Sequence, residues 1–219
     1  MENGKQNVLF VNDVDSEKRV YLYIKRILDI ACSIIGLVFL SWLFVVIALI
    51  IKIEDPKGKV FFKQIRIGKD GKKFNMYKFR SMVVNAEEKL KELMEFNEVE
   101  GAMFKMKYDP RITKIGRFLR KTSIDELPQL LNVLKGEMSI VGPRPPLPRE
   151  VEEYTDYDKQ RLLVVPGCTG LWQVSGRSNI GFYEMVELDL FYIRKRSLVF
   201  DIKIIFKTFI VLFGSKDAF

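Results

Sequence analysis

The sequence predicts an α+β protein: an N-terminal membrane helix, then a compact, mostly helical cytosolic domain with a short β-hairpin and amphipathic interfacial helices. Three observations predict it. Residues 30–51 read IACSIIGLVFLSWLFVVIALII, 22 residues without a charge, against the roughly 20 that a bilayer-crossing helix needs. Residues 59–82 hold two runs rich in aromatic and β-branched residues on either side of GKDGKK, the composition of strands joined by a Gly/Asp turn. Residues 84–97, 127–135 and 201–213 combine good helix formers with apolar side chains.

Composition narrows the function classes. A chain of 219 residues fits one domain with a sizeable core. With 48% hydrophobic residues, 14 Gly, 8 Pro and 2 Cys, collagen-like, disulfide-stapled and disordered readings are excluded. There is no histidine. Ser-His-Asp and Cys-His nucleophile systems and HExxH zinc sites are therefore excluded, and acid/base chemistry must come from carboxylates, Lys, Tyr or the substrate. Cys32 and Cys168 lie far apart, which suits a cytosol-facing protein without a disulfide framework. A net charge of +8 points to nucleic acid, anionic lipid or a phosphorylated substrate.

In chain order, residues 1–17 read as a polar tail, 18–58 as the membrane-anchoring segment and 59–219 as one compact cytosolic domain at the membrane surface. The apolar run is no cleavable signal peptide, because its core is too long and no small-residue cleavage site follows. Lys18, Arg19, Lys25 and Arg26 precede it, while Lys52, Lys57, Lys59, Lys63 and Arg66 follow, so the positive-inside rule has no winner. Two arrangements answer this: a helix that bends near Ser41 and returns to the side it entered, or a plain single span. The hairpin follows, then a helix over 84–97. Residues 101–150 carry ten Lys/Arg against five Asp/Glu and form the expected anion-facing region. Asp201 to Phe213 is too short to span and reads as an interfacial or core helix.

The sharpest chemical segment is Arg120 to Pro146, RKTSIDELPQLLNVLKGEMSIVGPRPP. Pro128 belongs in a first helical turn, so a helix should begin near Asp125 and Glu126. Both carboxylates would sit where the helix dipole favours their ionised forms. An ionised Asp125 is a competent nucleophile toward phosphorus, and Glu126 is a natural Mg2+ ligand. Spacing alone favours a plainer reading, since Ser123 to Glu126 spells the S-x-x-E capping box. That box would, however, put Pro128 at the fifth helical position, where its ring crowds the carbonyl of Ile124. Arg144 lies in GPRPP, a backbone stiff enough to aim a guanidinium at phosphate or simply a proline-rich turn. Val164 to Asn179 places Gly167, Gly170 and Gly176 around Trp172 and Arg177, a loop suited to a nucleobase or sugar ring. Asp13-Val14-Asp15 and Asp156-Tyr157-Asp158 are DxD triplets, and the second sits in an acidic patch that reads more easily as solvated surface. No Walker A, no GxGxxG after a strand and no nucleic-acid-binding pattern is present.

Together these segments closely resemble the bacterial sugar transferases, the monotopic phosphoglycosyl transferases that begin exopolysaccharide, capsule and glycoprotein glycan assembly. The resemblance rests on KRILDI (25–30), VFFKQIRIGKDGKKFNMYKFRSM (60–82), DPRITKIGRFLRKTSIDELPQLLNVLKGEMSIVGPRP (109–145), PGCTGLWQVSGRS (166–178), and ELDLFYI with DIKII (187–205). It implies transfer of a sugar 1-phosphate, with glucose or galactose expected, from a UDP-sugar to undecaprenyl phosphate. The expected place is the cytoplasmic face of the bacterial inner membrane, with Mg2+ as cofactor. By analogy Asp125 would attack the β-phosphate and release UMP, and the lipid phosphate would then take the phosphosugar. Glu126, with Asp125, would bind Mg2+, and Arg120, Arg144, Arg177 and Lys78 would hold substrate. The resemblance favours the re-entrant helix, although relatives have Ser-Pro at the bend and this chain has Ser41-Trp42. It also implies a minimal catalytic form, membrane lipid but no nucleic acid as partner, and room for a homo-oligomer.

Two other readings compete. A metal-dependent glycosyltransferase using Asp156 and Asp158 would release UDP. A basic membrane-bound scaffold recruiting anionic partners through residues 101–150 would release no nucleotide and would lose its partners when Arg117, Arg120 and Lys121 are neutralised.

Overall fold

A computed structural model describes residues 18–97, 106, 108–176 and 180–214; the expected tail over 1–17 and Arg177 lie outside the described residues. Two apolar helices come first. Helix α1 (Arg19–Phe39) and helix α2 (Ser41–Glu54) meet at Leu40 with a bend of 59°. The break falls where the sequence placed it. Leu40 leaves helical geometry at φ −94° and ψ 4°, and Ser41 Oγ donates back to the Val38 carbonyl at 2.8 Å. A hydroxyl that satisfies a carbonyl at the kink does part of the work proline does elsewhere. Among the described residues no single helix is long and apolar enough to cross a membrane, while the bent pair together passes on length and composition. Val38, Phe39, Trp42, Val45, Leu49 and Ile53 of this pair are exposed.

Both outer ends of the pair are fastened to the same body. Arg26 on α1 donates to the carbonyls of Val133 and Leu134 at 2.5 and 2.7 Å, and Asp29 accepts from the backbone N–H of Ile140 at 3.0 Å. Lys25 pairs with Asp201 at 2.8 Å. On α2, Ile47 and Ile51 pack with Phe79 and Leu119 in one cluster of the core. Beyond them Arg80 binds the Asp55 carboxylate at 3.0 Å, and Glu54 accepts the backbone N–H groups of Lys114 and Ile115.

The predicted hairpin is present. Strands β1 (Phe61–Ile67) and β2 (Lys73–Phe79) pair antiparallel from Phe61 opposite Phe79 to Ile67 opposite Lys73. A 3-10 turn over Lys69–Gly71 joins them, with Asp70 and Gly71 at positive φ. Helix α3 (Ala86–Leu93) and a 3-10 turn (Met94–Phe96) fill most of the predicted 84–97 helix.

After helix α4 (Lys114–Lys121), the expected helix near Asp125 is two pieces. A 3-10 helix over Ile124–Gln129 leads into helix α5 (Leu130–Lys135). A second sheet was not foreseen. Strands β3 (Ser139–Val141) and β4 (Gly167–Thr169) run parallel, with Ser139 opposite Gly167 and Val141 opposite Thr169. Strands of three residues carry no alternation to read. Their approach is so close that a Cβ on Gly167 would lie 2.0 Å from the Gly142 nitrogen. Between them lie short helices α6 (Pro148–Glu152) and α7 (Asp156–Lys159), and α8 (Leu171–Ser175) follows.

Helices α9 (Phe182–Lys195) and α10 (Leu198–Gly214) close the fold. Val186, Leu190, Ile193 and Ile204 join Val141 in the largest core cluster. The opposite face of α10 exposes Val199, Ile202, Phe206, Phe209 and Ile210, which suits the interfacial helix expected there.

One side chain docks the hairpin on the rest. Asn132 of α5 is fully buried, and its Oδ1 accepts the Tyr77 N–H at 3.0 Å. Its Nδ2 donates to the Asn75 carbonyl and to Glu137 Oε2, each at 2.7 Å. The amide thus pairs backbone groups that a third strand would otherwise take. Asn132→Ala leaves that N–H and carbonyl without partners, and a loss of about 3 kcal/mol is expected in urea unfolding, from three broken bonds at roughly 1 kcal/mol each.

Candidate active site

The site forms where β2 passes the 3-10 helix. Thr113 caps α4 by accepting the Gly116 N–H at 3.0 Å, and Thr122 Oγ1 takes up the carbonyls of Phe118 and Leu119 at its end. Arg117, Arg120 and Lys121 are left exposed on α4, with Arg120 and Lys121 in its last turn, where the dipole favours cations. The chain then turns through Ser123 in the left-handed region, φ 55°. Ser123 makes no side-chain cap bond, so the capping box that spacing favoured is not formed. A cap residue sits in extended geometry, and Ser123 does not. The tighter 3-10 turn carries Pro128 inside the Ile124–Gln129 element instead.

That turn sends Asp125 inward, 6% exposed, and Glu126 toward β2, where Lys78 Nζ meets Glu126 Oε1 at 2.6 Å. The environments of the two carboxylates push them apart. Burial raises Asp125 to about 6; Lys78 opposes this, the Glu126 charge adds to it, and Arg120 opposes it again. Burial also acts on Glu126, but the charge and hydrogen bond of Lys78, with Arg144 and Arg66 behind, outweigh it and hold Glu126 below the usual carboxylate range. Neighbouring acids with separated ionisation are a mark of acid/base or nucleophile assignment.

Arg144 is positioned from the other side. The Pro146 carbonyl accepts the Ile67 N–H at 3.0 Å, and the Pro145 carbonyl accepts Arg66 Nη1 at 2.9 Å. The guanidinium of Arg144 stands 6.0 Å from the ring centre of Trp172, which is buried. Of the sequence-predicted residues, the fold brings Asp125, Glu126, Lys78, Arg120 and Arg144 into one electrostatic neighbourhood. Arg177 lies outside the described residues. Sequence reading missed Arg66, a cation on a strand whose inward direction only the register reveals, and Asn132, an amide inside an apolar helix pattern.

The DxD alternative loses its geometry. Asp158 is spent as a helix cap, accepting the Thr155 N–H at 2.9 Å and the Thr155 hydroxyl at 2.7 Å. Asp156 points to solvent and pairs with Lys159. Asp13 and Asp15 lie outside the described residues. Among the described residues no group of three or more Asp, Glu or Cys side chains gathers to hold a metal by protein ligands alone.

Comparison with known proteins now decides the family: the family described as "Bacterial sugar transferase" matches residues 20–215. The chain belongs to the bacterial sugar transferase family. It is 52% identical over 200 residues to the galactosyl transferase CpsE of Streptococcus agalactiae, covering 90% of this chain and 44% of that one. To the undecaprenyl-phosphate galactose phosphotransferase of Salmonella typhimurium it is 47% identical over 206 residues, 92% of this chain and 43% of that one. The UDP-glucose:undecaprenyl-phosphate glucose-1-phosphate transferase of Escherichia coli is 42% identical over 204 residues, 90% of this chain and 41% of that one. The chain spans less than half the length of these relatives.

The raised Asp125 has a thermodynamic consequence. In the unfolded chain it ionises near the ordinary Asp value of about 3.9, and in the folded protein at about 6. Its charge therefore destabilises the fold fully above pH 6 and not at all below about 4. Asp125→Asn is expected to stabilise the protein by on the order of 1–3 kcal/mol at pH 7.5, and the gain should vanish by pH 4. Paired thermal melts across that range check it.

Proposed function

We propose that this protein moves a sugar 1-phosphate, galactose or glucose being the sugar, from a UDP-sugar to undecaprenyl phosphate. Asp125 is the nucleophile. A carboxylate oxygen of Asp125 bonds to the phosphorus that carries the sugar as the bridging P–O bond breaks, and the electron pair leaves on UMP. An oxygen of the lipid phosphate then attacks that phosphorus, the Asp–P bond breaks, and the carboxylate is regenerated. Neither nucleophile needs an imidazole to deprotonate it, which suits a chain with no histidine. The observation that carries the reading is the buried Asp125 set between the charges of Lys78 and Arg120. Ionised at neutral pH yet more basic than an ordinary Asp, it is the better nucleophile for its burial.

Lys78, Arg120 and Arg144 face the phosphates and meet the charge that spreads over their oxygens during transfer. Arg177 is proposed as a further substrate contact. A Mg2+ ion fits the paired carboxylates, because this ion binds through one or two carboxylates plus substrate phosphates rather than a full protein cage. Glu126, with Asp125 beside it, would hold it, and when bound it neutralises diphosphate charge.

The bent helix pair is proposed to enter and leave the cytoplasmic leaflet of the bacterial inner membrane. Its exposed apolar faces and the attachment of both ends to one body support this, as does the outward apolar face of α10. The lipid phosphate and the cytosolic nucleotide sugar would then meet at one surface.

Purified protein in detergent, given undecaprenyl phosphate, Mg2+ and UDP-galactose or UDP-glucose, is expected to release UMP. Asp125→Asn should lower the rate by at least about 10^4, the scale of losing an obligatory nucleophile. Wild-type turnover should fall as pH drops through about 6, where Asp125 takes up a proton. Release of UDP, or UMP release that survives Asp125→Asn, overturns the mechanism. Topology has its own check. In a cysteine-free background, single cysteines replacing Lys18 and Lys57 should both react with an impermeant maleimide only from the cytoplasmic side. Labelling from opposite sides would mean a single span.

A further inference from the structure

We propose that Arg66 is the positioning residue of this site: it holds the Pro143–Pro146 loop so that Arg144 faces the substrate, and with Arg144 and Arg149 it forms a cationic recess for a diphosphate. The proposal rests on the phosphate-transfer reading above and extends it to Arg66 and Arg149, which that reading does not use.

Arg66 sits on β1 with 4% of its surface exposed, a burial a guanidinium rarely reaches without a carboxylate. It has none. Nη1 donates to the Pro145 carbonyl at 2.9 Å, while Nε and Nη2 donate to Gln64 Oε1 at 3.1 and 2.6 Å. Every acceptor is neutral. The adjacent backbone repeats the grip, since the Ile67 N–H reaches the Pro146 carbonyl. Two successive loop carbonyls are therefore held by two successive residues of one strand, and Arg144 lies immediately before them.

The surrounding charges leave a cationic excess. Arg144 is the strongest charged neighbour of Arg66, followed by Glu150, Glu126 and Arg149. Both carboxylates are already engaged: Glu150 accepts the Leu147 N–H at 2.8 Å to cap α6, and Glu126 holds Lys78. Among the described residues no salt bridge forms to Arg66, Arg144 or Arg149. Arg149 Nε is buried without a hydrogen-bond partner. Burial, then the charge of Arg144, push Arg66 down to about 9. A buried guanidinium that meets only neutral acceptors, with a second cation beside it, weakens a fold, and the arrangement becomes favourable when an anion enters. With the Arg66 fork taken by Gln64 and the Pro145 carbonyl, the forks of Arg144 and Arg149 are the ones offered to an anion, and two planar forks match two linked phosphates better than a single one.

The test uses the full chain in detergent, with inorganic pyrophosphate, inorganic phosphate and UDP as calorimetric probes. Wild type should bind pyrophosphate and UDP at least tenfold more tightly than phosphate. Arg66→Met should weaken pyrophosphate binding at least tenfold and flatten its salt dependence without lowering Tm, because a buried uncompensated charge has been removed. Arg66→Lys should regain part of the affinity, yet leave kcat for sugar-phosphate transfer low, since an ammonium lacks the planar fork that fixes Gln64 and the Pro145 carbonyl in one geometry. Arg66→Met binding within twofold of wild type overturns the proposal, as does a binding loss that tracks a fall in Tm and is not relieved by lysine. Wild type that binds pyrophosphate but releases no UMP from either UDP-sugar would sink the functional reading and leave the anion site standing.

Discussion

A single buried amide holds the working parts of this protein in register. Asn132 occupies the place of a third strand along β2, accepting from Tyr77 and donating to Asn75. Because β2 is fixed by those bonds, Lys78, the next residue along, is set at 2.6 Å from Glu126. The 3-10 helix that carries Asp125 and Glu126 runs directly into α5, which carries Asn132. Acid pair and partnering lysine thus share one rigid joint, and the distance between them cannot drift without unpairing backbone groups in the interior.

Against that joint the site stores an electrostatic cost. Asp125 is buried beside another carboxylate, and its ionised form is held by the charges of Lys78 and Arg120 without a direct ion pair among the described residues. Arg66 is the mirror case, a buried cation beside Arg144 that finds only neutral acceptors. An opposed arrangement of this kind weakens the free protein and favours a ligand that brings negative charge to the cations. It is the usual relation between a preorganised site and the stability of the fold around it. The fully buried Arg161–Asp189 pair, at 2.7 Å, shows the contrast: there a buried cation meets a carboxylate of the protein itself.

The helix pair is tied to the same body at both ends by interactions of different kinds. On α1, Arg26 donates to the Val133 and Leu134 carbonyls in the last turn of α5, where a helix runs short of N–H partners. Lys25, Tyr21 and Tyr192 converge on Asp201 of α10. On α2 the attachment is apolar, through Ile47 and Ile51, with Arg80 and Asp55 at its rim. Since Asn132 and the Arg26 acceptors lie on the same short helix, the bent helix pair and the acid pair are coupled through six residues, Leu130–Lys135.

Much was legible in the chain because it is written in local patterns. The uncharged run, the Gly/Asp turn between apolar strands and the acidic pair before Leu127-Pro128 each read directly, and the bend fell at Ser41 even without proline. The five ordered motifs carried the family. What the chain could not show depends on residues distant in sequence. Spacing favoured a capping box at Ser123, but the backbone there turns left-handed, and Glu126 meets Lys78, 48 positions away. The β3–β4 pair joins segments of three residues, too short for any periodicity. Asp158 reads as solvated surface in the sequence, yet it is buried because the cap of its own helix claims it. The local sequence determined most of the helices and the hairpin, because propensity and apolar period act within a few residues. Only the tertiary structure decided which charges are buried and which of them meet, because burial and ion pairing are properties of neighbours in space.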